Sequence, residues 1–473
     1  MKKSISIVLL FAMLLGLMTG CGKTKAVTDV ELPEGEFTEG SVHGQVFTWA
    51  GTADIAFQEQ VDAQNRINAE YSERTGNVRV NLAFTYDLEL IVALKEGNTM
   101  PTVFEAPNSD AQKLIRNGYS RDIQALLDER GWTSDMWVSQ YAEQLMDKNG
   151  HMHGIPKSVS TRALFCNVAI FEEAGLVDAA GNLMYPKTWD ELVEAAYTIR
   201  EKTGKNGFAL SLYDEVAMRD YVNTAWNYGA DPSVNNGDGT FTAEVNSPEM
   251  LAATQMYAKL GRSDVAKINP NLSDSKFCTQ SVAYGESAMC ITDGRIPVEM
   301  EVTSEGYAMY PVPAGPADNK ILVAGNAYWF SPTATDDEVR AALDFIEMYG
   351  IAPVWSEDQH EALREEARNQ IATTGVYLHG ISVFTGERRE KALEAAKEFD
   401  DSVSKYYRVF VDSCQDESRY RFEEDGDPFN LYGTLVDPLQ EAVTDMKADI
   451  QYWLDQADEQ YQAFLDYELV VGG

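Results

Sequence analysis

The sequence predicts an α/β protein built from two lobes that are joined by extended crossovers of the chain. Segments with the two-residue apolar period of strands alternate with helical patterns, first before about residue 110 and again after about residue 176. Between these two series, residues 148–176 contain turn residues and Pro156, which fixes φ and keeps the preceding residue extended. About 430 residues follow the leader and tether, more than one core usually holds, so two lobes are expected.

The first residues have the composition of a secretory leader that ends at a lipidation site. Lys2 and Lys3 precede an apolar stretch, residues 5–17, which is too short for a permanent membrane span. Small residues then lead to Cys21, in an order that resembles the bacterial lipobox. Residues 1–20 are predicted to be the signal peptide and residues 21–43 the lipidated cysteine with a flexible tether. Ordinary cleavage, with Cys21 as a plain thiol, is the disfavoured alternative.

The leader also predicts where the protein works. We expect a lipid anchor on Cys21 to hold the mature chain at the extracellular face of a bacterial cytoplasmic membrane, in a Gram-positive cell. The chain carries 38 Lys and Arg residues against 75 Asp and Glu residues, a formal net charge of −37. So acidic a chain argues against nucleic acid and anionic lipid headgroups as partners, and it is compatible with a neutral ligand.

Residue types that ligate metals are present but are not spaced as a metal site. The four later cysteines lack C-x-x-C spacing, and Cys278 and Cys290 are interpreted either as a disulfide or as buried apolar residues. His151 and His153 have no third ligand at a sensible spacing and are expected to be exposed. The acidic run at residues 423–427 is interpreted as a solvated loop, with weak Ca²⁺ binding as the alternative. The sequence therefore predicts no cofactor and no metal.

Polar and aromatic side chains stand just past the ends of predicted strands in the first series. Trp49 follows a strand that begins near Gln45, and Asn108 and Asp110 follow another strand at residues 101–106. In a mainly parallel sheet, ligand sites lie beyond the carboxyl ends of the strands. These three side chains are therefore candidate walls of a cleft, although an aromatic residue after a strand is about as often core as cleft.

Several short motifs, taken together, resemble the family 1 extracellular solute-binding proteins, the lipoprotein receptors of ABC importers typified by maltose and multiple-sugar binders. Each motif is loose, but they cover nearly the whole mature chain in the family's order. They are the lipobox and residues 46–49, 71–76, 97–101, 154–156, 171–176, 186–192, 285–289, 293–294 and 437–464.

The resemblance implies a periplasmic-binding-protein-like fold of type II, with strand crossovers between the lobes and a helical C-terminal tail. Lobe one would comprise residues 44–155 with about 310–380, and lobe two residues 156–309 with about 381–473. It also implies that a monomer captures a carbohydrate, with an oligosaccharide favoured, in the cleft between the lobes. ABC permease subunits in the membrane would then receive the sugar.

The family pattern also suggests which side chains contact the ligand. Arg162 has a structural ion pair as its alternative role, and Asp293 has the capping of a following helix. Arg295 stands where many sugar binders carry an aromatic residue, which indicates a more polar or anionic sugar. The predicted contacts are Trp49, Asn108, Asp110, Arg162, Trp226, Asp293, Arg295, Asn326, Tyr328 and Trp329.

Other classes of function remain open at this point. A secreted glycoside-acting enzyme would also line a cleft with aromatic residues and carboxylates, and a receptor could bind a solute that is not a sugar. The chain has no G-x-S-x-G, H-E-x-x-H or P-loop motif. A receptor that is not an enzyme is therefore the favoured prediction, and a purely structural lipoprotein is a third class.

Overall fold

The computed structural model describes residues 42–47, 78–83, 100, 102–213, 215–237, 240–269, 276–295, 306–348, 351–423 and 426–471. The predicted lipidation site Cys21, residues 22–41 of the predicted tether and the predicted ligand contact Trp49 lie outside these residues, whereas Val42 and His43, predicted as the end of the tether, begin a strand.

The described strands form one ten-stranded mixed sheet and a separate hairpin. Along the large sheet the order is β2-β1-β3-β11-β4-β9-β5-β8, with β10 beside β4 and β12 beside β11. The strands are β1 (Val42–Phe47), β2 (Val78–Ala83), β3 (Val103–Pro107), β4 (Gly154–Asn167), β5 (Asn206–Ser211), β6 (Ser233–Asn235), β7 (Phe241–Ala243), β8 (Ala266–Asn269), β9 (Ser287–Asp293), β10 (Tyr307–Pro311), β11 (Ile321–Phe330) and β12 (Tyr420–Phe422).

The long strand β4 belongs to both halves of this sheet. Up to Thr161 it pairs antiparallel with β11, and from Arg162 onward it pairs antiparallel with β9 and β10. In turn, β11 pairs with β3 through residues 326–330. We call the place where β4 changes partners, residues 157–162 of β4 beside residues 324–326 of β11, the crossing. Strands β1 to β3 lie on one side of the crossing, in lobe one. Strands β5, β8, β9 and β10 lie on the other side, in lobe two. The predicted crossover within residues 148–176 is thus one continuous strand.

Helices cover the faces of both halves of the sheet, and none in the described part of the chain is both long and apolar enough to cross a membrane. They are α1 (Ala111–Arg116), α2 (Gln124–Arg130), α3 (Ser139–Gln144), α4 (Val168–Glu173), α5 (Trp189–Thr203), α6 (Glu215–Asn227), α7 (Pro248–Arg262), α8 (Phe277–Ala283), α9 (Asp336–Met348), α10 (Glu357–Thr374), α11 (Gly386–Ala396), α12 (Lys405–Ser413), α13 (Pro428–Thr444) and α14 (Ile450–Val471). The last two form the helical C-terminal tail.

Each lobe has an apolar cluster on both faces of its part of the sheet. In lobe one, Val103 and Tyr328 pack with α2 and α9, whereas Phe104 and Trp329 pack on the opposite face. In lobe two, Leu164 packs with α5, α6, α7 and the tail helices, whereas the clusters on its other face draw on α8 and α12. Because successive strand residues point to opposite faces, strands buried on both faces are apolar without alternation.

The chain enters β4 through two histidines with different surroundings. His151 is exposed, and its Nδ1 lies 2.8 Å from an Asp122 carboxylate oxygen, which raises the pKa of the imidazole. His153 is instead buried, with its Nδ1 3.1 Å from the Ser120 hydroxyl, and burial lowers its pKa. The prediction that both histidines are exposed was wrong for His153, because it packs under the start of the crossover.

The two crossover strands approach each other closely at Gly325 of β11. A Cβ atom at this position would lie 2.7 Å from the Ser158 carbonyl oxygen and 2.7 Å from the Tyr141 hydroxyl. Gly325→Ala should therefore destabilise the protein by about 1–3 kcal/mol, the usual cost of overpacking. Gly380→Ala is the matched control, because a Cβ there meets no atom within 4 Å. Thermal unfolding of both variants checks this, and equal melting temperatures would contradict the packing described for the crossing.

Candidate functional site

The carboxyl ends of strands from both lobes meet at the crossing, where β4 and β11 pair as antiparallel neighbours. In lobe one, β3 ends at Pro107, opposite Asn326 of β11. In lobe two, β9 ends at Asp293, opposite Arg162 of β4. Ligands of open α/β sheets bind beyond the carboxyl ends of strands, at points where the topology changes direction. The crossing is therefore the place in this fold where a ligand site is expected.

The crossing is more exposed than the strand ends on either side of it. Along β4, residues 157–160 are partly or fully exposed, whereas the residues before and after them in the strand are buried. The facing residues Ala324 and Asn326 of β11 are also partly exposed, again between buried segments. Solvent thus reaches the middle of both crossover strands, which is the geometry of a cleft between two lobes.

Only one face of the crossing is polar. Ser158 lies opposite Asn326, and Ser160 lies opposite Ala324, so these side chains share a face with Arg162 two residues further along β4. On the other face, Val159 packs into an apolar cluster that also contains Tyr141 and Phe422. We call the polar face, made by Ser158, Ser160, Arg162 and Asn326, the cleft floor.

A β-bulge places Lys157 at the lobe-one edge of the cleft floor. The register shifts between Asn326 and Ala327 of β11, which leaves Lys157 as the extra residue of β4. Its ammonium group lies 2.6 Å from Glu105 Oε2 and 5.2 Å from the centre of the Tyr328 ring. The Asn326 side-chain amide donates to the other oxygen of Glu105, at 2.9 Å. Glu105 is only 4% exposed, so this is a buried ion pair with both carboxylate oxygens bonded.

A second buried ion pair stands at the lobe-two edge of the floor. Arg162 is 5% exposed and donates through Nε to Asp220 of α6 at 2.5 Å. Burial by itself would lower the pKa of the Arg162 guanidinium, but the charges of Asp220 and Asp293 more than offset it, so the pKa is raised. A cavity opens beside this pair, lined in part by Ser211, Tyr257, Thr279 and Thr292.

Residues around Glu423 connect the two lobes beside the crossing. The Glu423 main-chain carbonyl accepts from the Gln144 side chain of lobe one at 2.5 Å. Its carboxylate accepts from Arg219 Nε at 2.6 Å and from the Tyr432 hydroxyl at 2.5 Å, both in lobe two. Glu423 is 1% exposed, so the interpretation of residues 423–427 as a solvated loop was wrong at this end.

The other end of this acidic run is buried as well. Asp427 is 2% exposed, accepts from the Asn430 backbone N–H at the start of α13, and lies 3.0 Å from Lys113 of α1. The two described carboxylates of the run thus meet cations from different lobes, Glu423 with Arg219 and Asp427 with Lys113. Among the described residues, no group of three or more potential metal ligands is clustered.

Four of the predicted ligand contacts are core residues in the structure. Trp329 is fully buried on the face opposite the floor, and its indole N–H donates to the Ala106 carbonyl at 3.3 Å. Tyr328 is fully buried beneath Lys157. Asn108 is fully buried and accepts from the Gly325 backbone N–H at 2.8 Å. Strand alternation and close packing turn these side chains inward, and their contact with a ligand stays a prediction.

Trp226 is the fourth of these core residues. It is 4% exposed, packs within the main cluster of lobe two, and the Arg421 guanidinium lies 4.3 Å from the centre of its ring. Trp226 also lines a cavity within this lobe, together with Tyr432, Tyr461 and other residues. Trp226 therefore supports α6 from inside the lobe and does not line the cleft floor.

The remaining predicted contacts lie at or near the crossing. Arg162 and Asn326 form part of the floor. Asp293 faces Arg162 across the strand ladder and accepts from the Arg295 backbone N–H at 2.9 Å, while the exposed Arg295 side chain lies 3.3 Å from the same carboxylate. Asp110 is buried at the start of α1. Their contact with a ligand stays a prediction.

Sequence reasoning missed Glu105, Lys157 and Asp220. One available signal was the alternation of polar residues at Ser158, Ser160 and Arg162, which is typical of a strand with one polar face. The pairing of Lys157 with Glu105 carried no such signal, because it depends on a bulge that no local pattern marks.

The described cysteines are free thiols. Cys290 is fully buried in lobe two, with Cys278 partly buried next to the same cluster. Burial, and then the neighbouring Cys278, raise the pKa of the Cys290 thiol. The structure therefore agrees with the interpretation of Cys278 and Cys290 as packed apolar residues and not with the interpretation as a disulfide.

The sequence profile of the bacterial extracellular solute-binding proteins matches residues 51–349. The chain belongs to this family. Family members named after their ligands are among its relatives. A lactose-binding protein of Rhizobium radiobacter is 22% identical over 235 residues, which make up 49% of this chain and 52% of the relative. An sn-glycerol-3-phosphate-binding periplasmic protein of Agrobacterium fabrum is 25% identical over 235 residues, 48% of this chain and 52% of that one.

A comparison with solved structures confirms the fold of this solute-binding protein. The cyclic α-maltosyl-1,6-maltose binding protein from Arthrobacter globiformis matches with a TM-score of 0.66 at 18% identity, over 90% of this chain and 100% of that chain. The two-lobed, type II periplasmic-binding-protein fold predicted from the sequence is therefore confirmed. The chain spans about half the length of the curated relatives it matches.

The ion pair between Lys157 and Glu105 should be important for the stability of this solute-binding protein. Lys157→Met would leave the buried Glu105 carboxylate without its cation, at a cost of about 3 kcal/mol. Lys205→Met is the control, because Lys205 lies 3.7 Å from Glu173 in a well-exposed pair that should contribute less than about 1 kcal/mol. Urea unfolding measures both. Equal losses of unfolding free energy would show that the floor pair is not buried as described.

Proposed function

We propose that the protein is a lipid-anchored extracellular receptor that captures a carbohydrate between its lobes and delivers it to an ABC importer. The observation that carries the proposal is the cleft floor, a polar surface made by two strands that both lobes share. A relative named for lactose and a structural neighbour named for a cyclic maltosyl-maltose support a sugar as the ligand.

The floor has the chemistry that sugar hydroxyls require. The hydroxyls of Ser158 and Ser160 both donate and accept hydrogen bonds, as a sugar hydroxyl does. Because the floor lies between the lobes, a ligand there touches both of them. Such a ligand shifts the equilibrium towards the closed form by its extra affinity for that form, and closure removes water from the site.

Capture without turnover is the activity that fits these carboxylates. A glycosidase needs two carboxyl groups roughly 5–9.5 Å apart, free to act as acid and base or nucleophile. At the floor, Glu105 and Asp220 are instead bonded to Lys157 and Arg162. The chain therefore binds its solute and releases it unchanged to permease subunits, as a monomer that needs no cofactor.

The anchor completes the proposal. Lipidation of Cys21 would keep the receptor beside its permease, at the outer face of the cytoplasmic membrane of a Gram-positive cell. The tether, predicted as residues 21–43 and ending where β1 begins at Val42, would give the lobes freedom to reach the permease.

A ligand screen tests the receptor directly. The mature protein should gain thermal stability from at least one mono- or oligosaccharide, equivalent to about 2.7 kcal/mol at a ligand concentration of 100 Kd, and the sugar should be recovered intact. In Ser158→Ala/Ser160→Ala, calorimetry should show affinity reduced by about tenfold, since each lost hydrogen bond is worth about 0.5–1.5 kcal/mol. Ser139→Ala, at an exposed position of α3, is the control. Hydrolysis of the sugar, or unchanged affinity in the double variant, would contradict the proposal.

The anchor has its own test. In cells fed a labelled fatty acid, the wild-type protein should be labelled and sediment with membranes, whereas Cys21→Ser should be unlabelled and released. A Cys21→Ser protein that still carries the label would show that the lipid is attached elsewhere.

A further inference from the structure

We infer that the cleft selects an uncharged polyhydroxyl solute and rejects anionic counterparts of the same size. This inference rests on the proposed function and adds the charge class of the carbohydrate. It is based on the cations in the described part of the cleft, each of which is engaged by a carboxylate of the protein itself.

The cleft can be delimited by its floor and its two facing walls. Among the described residues, the floor segments are residues 157–162 and 324–326, the lobe-one wall is residues 105–113, and the lobe-two wall is residues 211–213, 215–220 and 291–295. These segments contain five basic residues. Lys113 pairs with Asp427 at 3.0 Å, Lys157 with Glu105 at 2.6 Å, Arg162 with Asp220 at 2.5 Å, Arg219 with Glu423 at 2.6 Å, and Arg295 with Asp293 at 3.3 Å.

Burial makes the two pairs at the floor difficult for a ligand to replace. Glu105 is 4% exposed and Arg162 is 5% exposed, so both pairs lie where charges interact more strongly than in water. An anionic ligand that approached Lys157 or Arg162 would meet the fixed carboxylate already bonded to it. Breaking the pair would strand a buried carboxylate, which is strongly unfavourable.

The described walls carry no unmatched positive charge. Their five basic side chains are matched by the carboxylates of Glu105, Asp220, Asp293, Glu423 and Asp427. Because the described cations are neutralised, this part of the cleft offers little attraction to an anion and no penalty to a neutral ligand.

Neutral hydrogen-bonding groups complete the site. Ser158, Ser160 and Asn326 lie on the floor, and Ser211, Thr279 and Thr292 line the cavity beside Arg162. Hydroxyls and amides both donate and accept, which suits a ligand rich in hydroxyl groups. The structure thus favours a ligand of the lactose kind over one of the glycerol phosphate kind, although relatives are named for both. The pairing of Arg295 with Asp293 also argues against the expectation that Arg295 binds an anionic sugar.

The first experiment compares solutes that differ in charge. Calorimetry on the mature protein would use neutral oligosaccharides, the matching oligosaccharides with uronic acid units, and sugar phosphates. We expect a neutral member to bind and its anionic counterparts to bind at least about 100-fold more weakly, because like charges in a cleft cost several kcal/mol. An anionic saccharide that binds as tightly as the neutral one would overturn this inference and leave the receptor function standing. Binding of a solute that is not a carbohydrate, with no saccharide bound, would overturn both.

The second experiment removes the compensating charge. Asp220→Asn keeps the shape of the side chain and leaves the Arg162 guanidinium without its closest carboxylate. This variant should gain thermal stability from inorganic phosphate or sulfate at millimolar concentration, whereas the wild type should not. Asp264→Asn is the matched control, because Asp264 is exposed and pairs with Arg200 at 2.8 Å on the lobe-two surface, near the amino end of β5.

The outcome separates charge compensation from a general effect of lost negative charge. If Asp220→Asn and Asp264→Asn respond equally to phosphate, the pairing at the floor does not set the charge preference, and the inference fails. If Asp220→Asn does not fold, Glu105→Gln makes the same test at Lys157. The comparison of neutral and anionic solutes on the wild type decides the inference in either case.

Discussion

Fourteen consecutive residues, Gly154–Asn167, form one strand whose two halves hydrogen-bond to different neighbours. The backbone groups of a buried strand need partners along their whole length, so this strand ties the position of each lobe to the other. The carboxyl ends of β3 and β9 meet at its middle because both lobes build their sheets outward from it. The polar face of the crossing is therefore a consequence of the topology, and the cleft follows from it.

The same strand explains why charged groups are buried at the crossing. Lys157 and Arg162 flank the exposed middle of β4 and reach into lobe one and lobe two, respectively, where each meets a carboxylate. Buried pairs of this kind contribute little net stability compared with apolar residues, but losing one partner is costly. They fix the orientation of side chains at the edges of the floor and leave the serines between them for a ligand. The same two ion pairs thus position the side chains at the edges of the floor and set the proposed preference for an uncharged ligand.

The sequence was sufficient for the architecture because strand and helix periods, turn residues and proline are local signals. It placed the crossover within residues 148–176, which contain the whole of β4. The aromatic contacts could not be assigned to a face for a physical reason: Trp329 and Tyr328 lie on a strand segment that is buried on both faces, so no alternation marks which side chain reaches the cleft. The pairs of Glu105 and Asp220 could not be predicted, since each joins residues distant in the chain.

The central claim is that the lobes close on a carbohydrate by moving about the crossing of β4 and β11. Small-angle X-ray scattering of the mature protein, with and without the saccharide that stabilises it, tests this most directly. Domain closure about a hinge makes a two-lobed protein more compact, so the radius of gyration should fall when the ligand saturates the site. A radius of gyration that stays constant, while calorimetry shows the same sample to be saturated, would contradict the account.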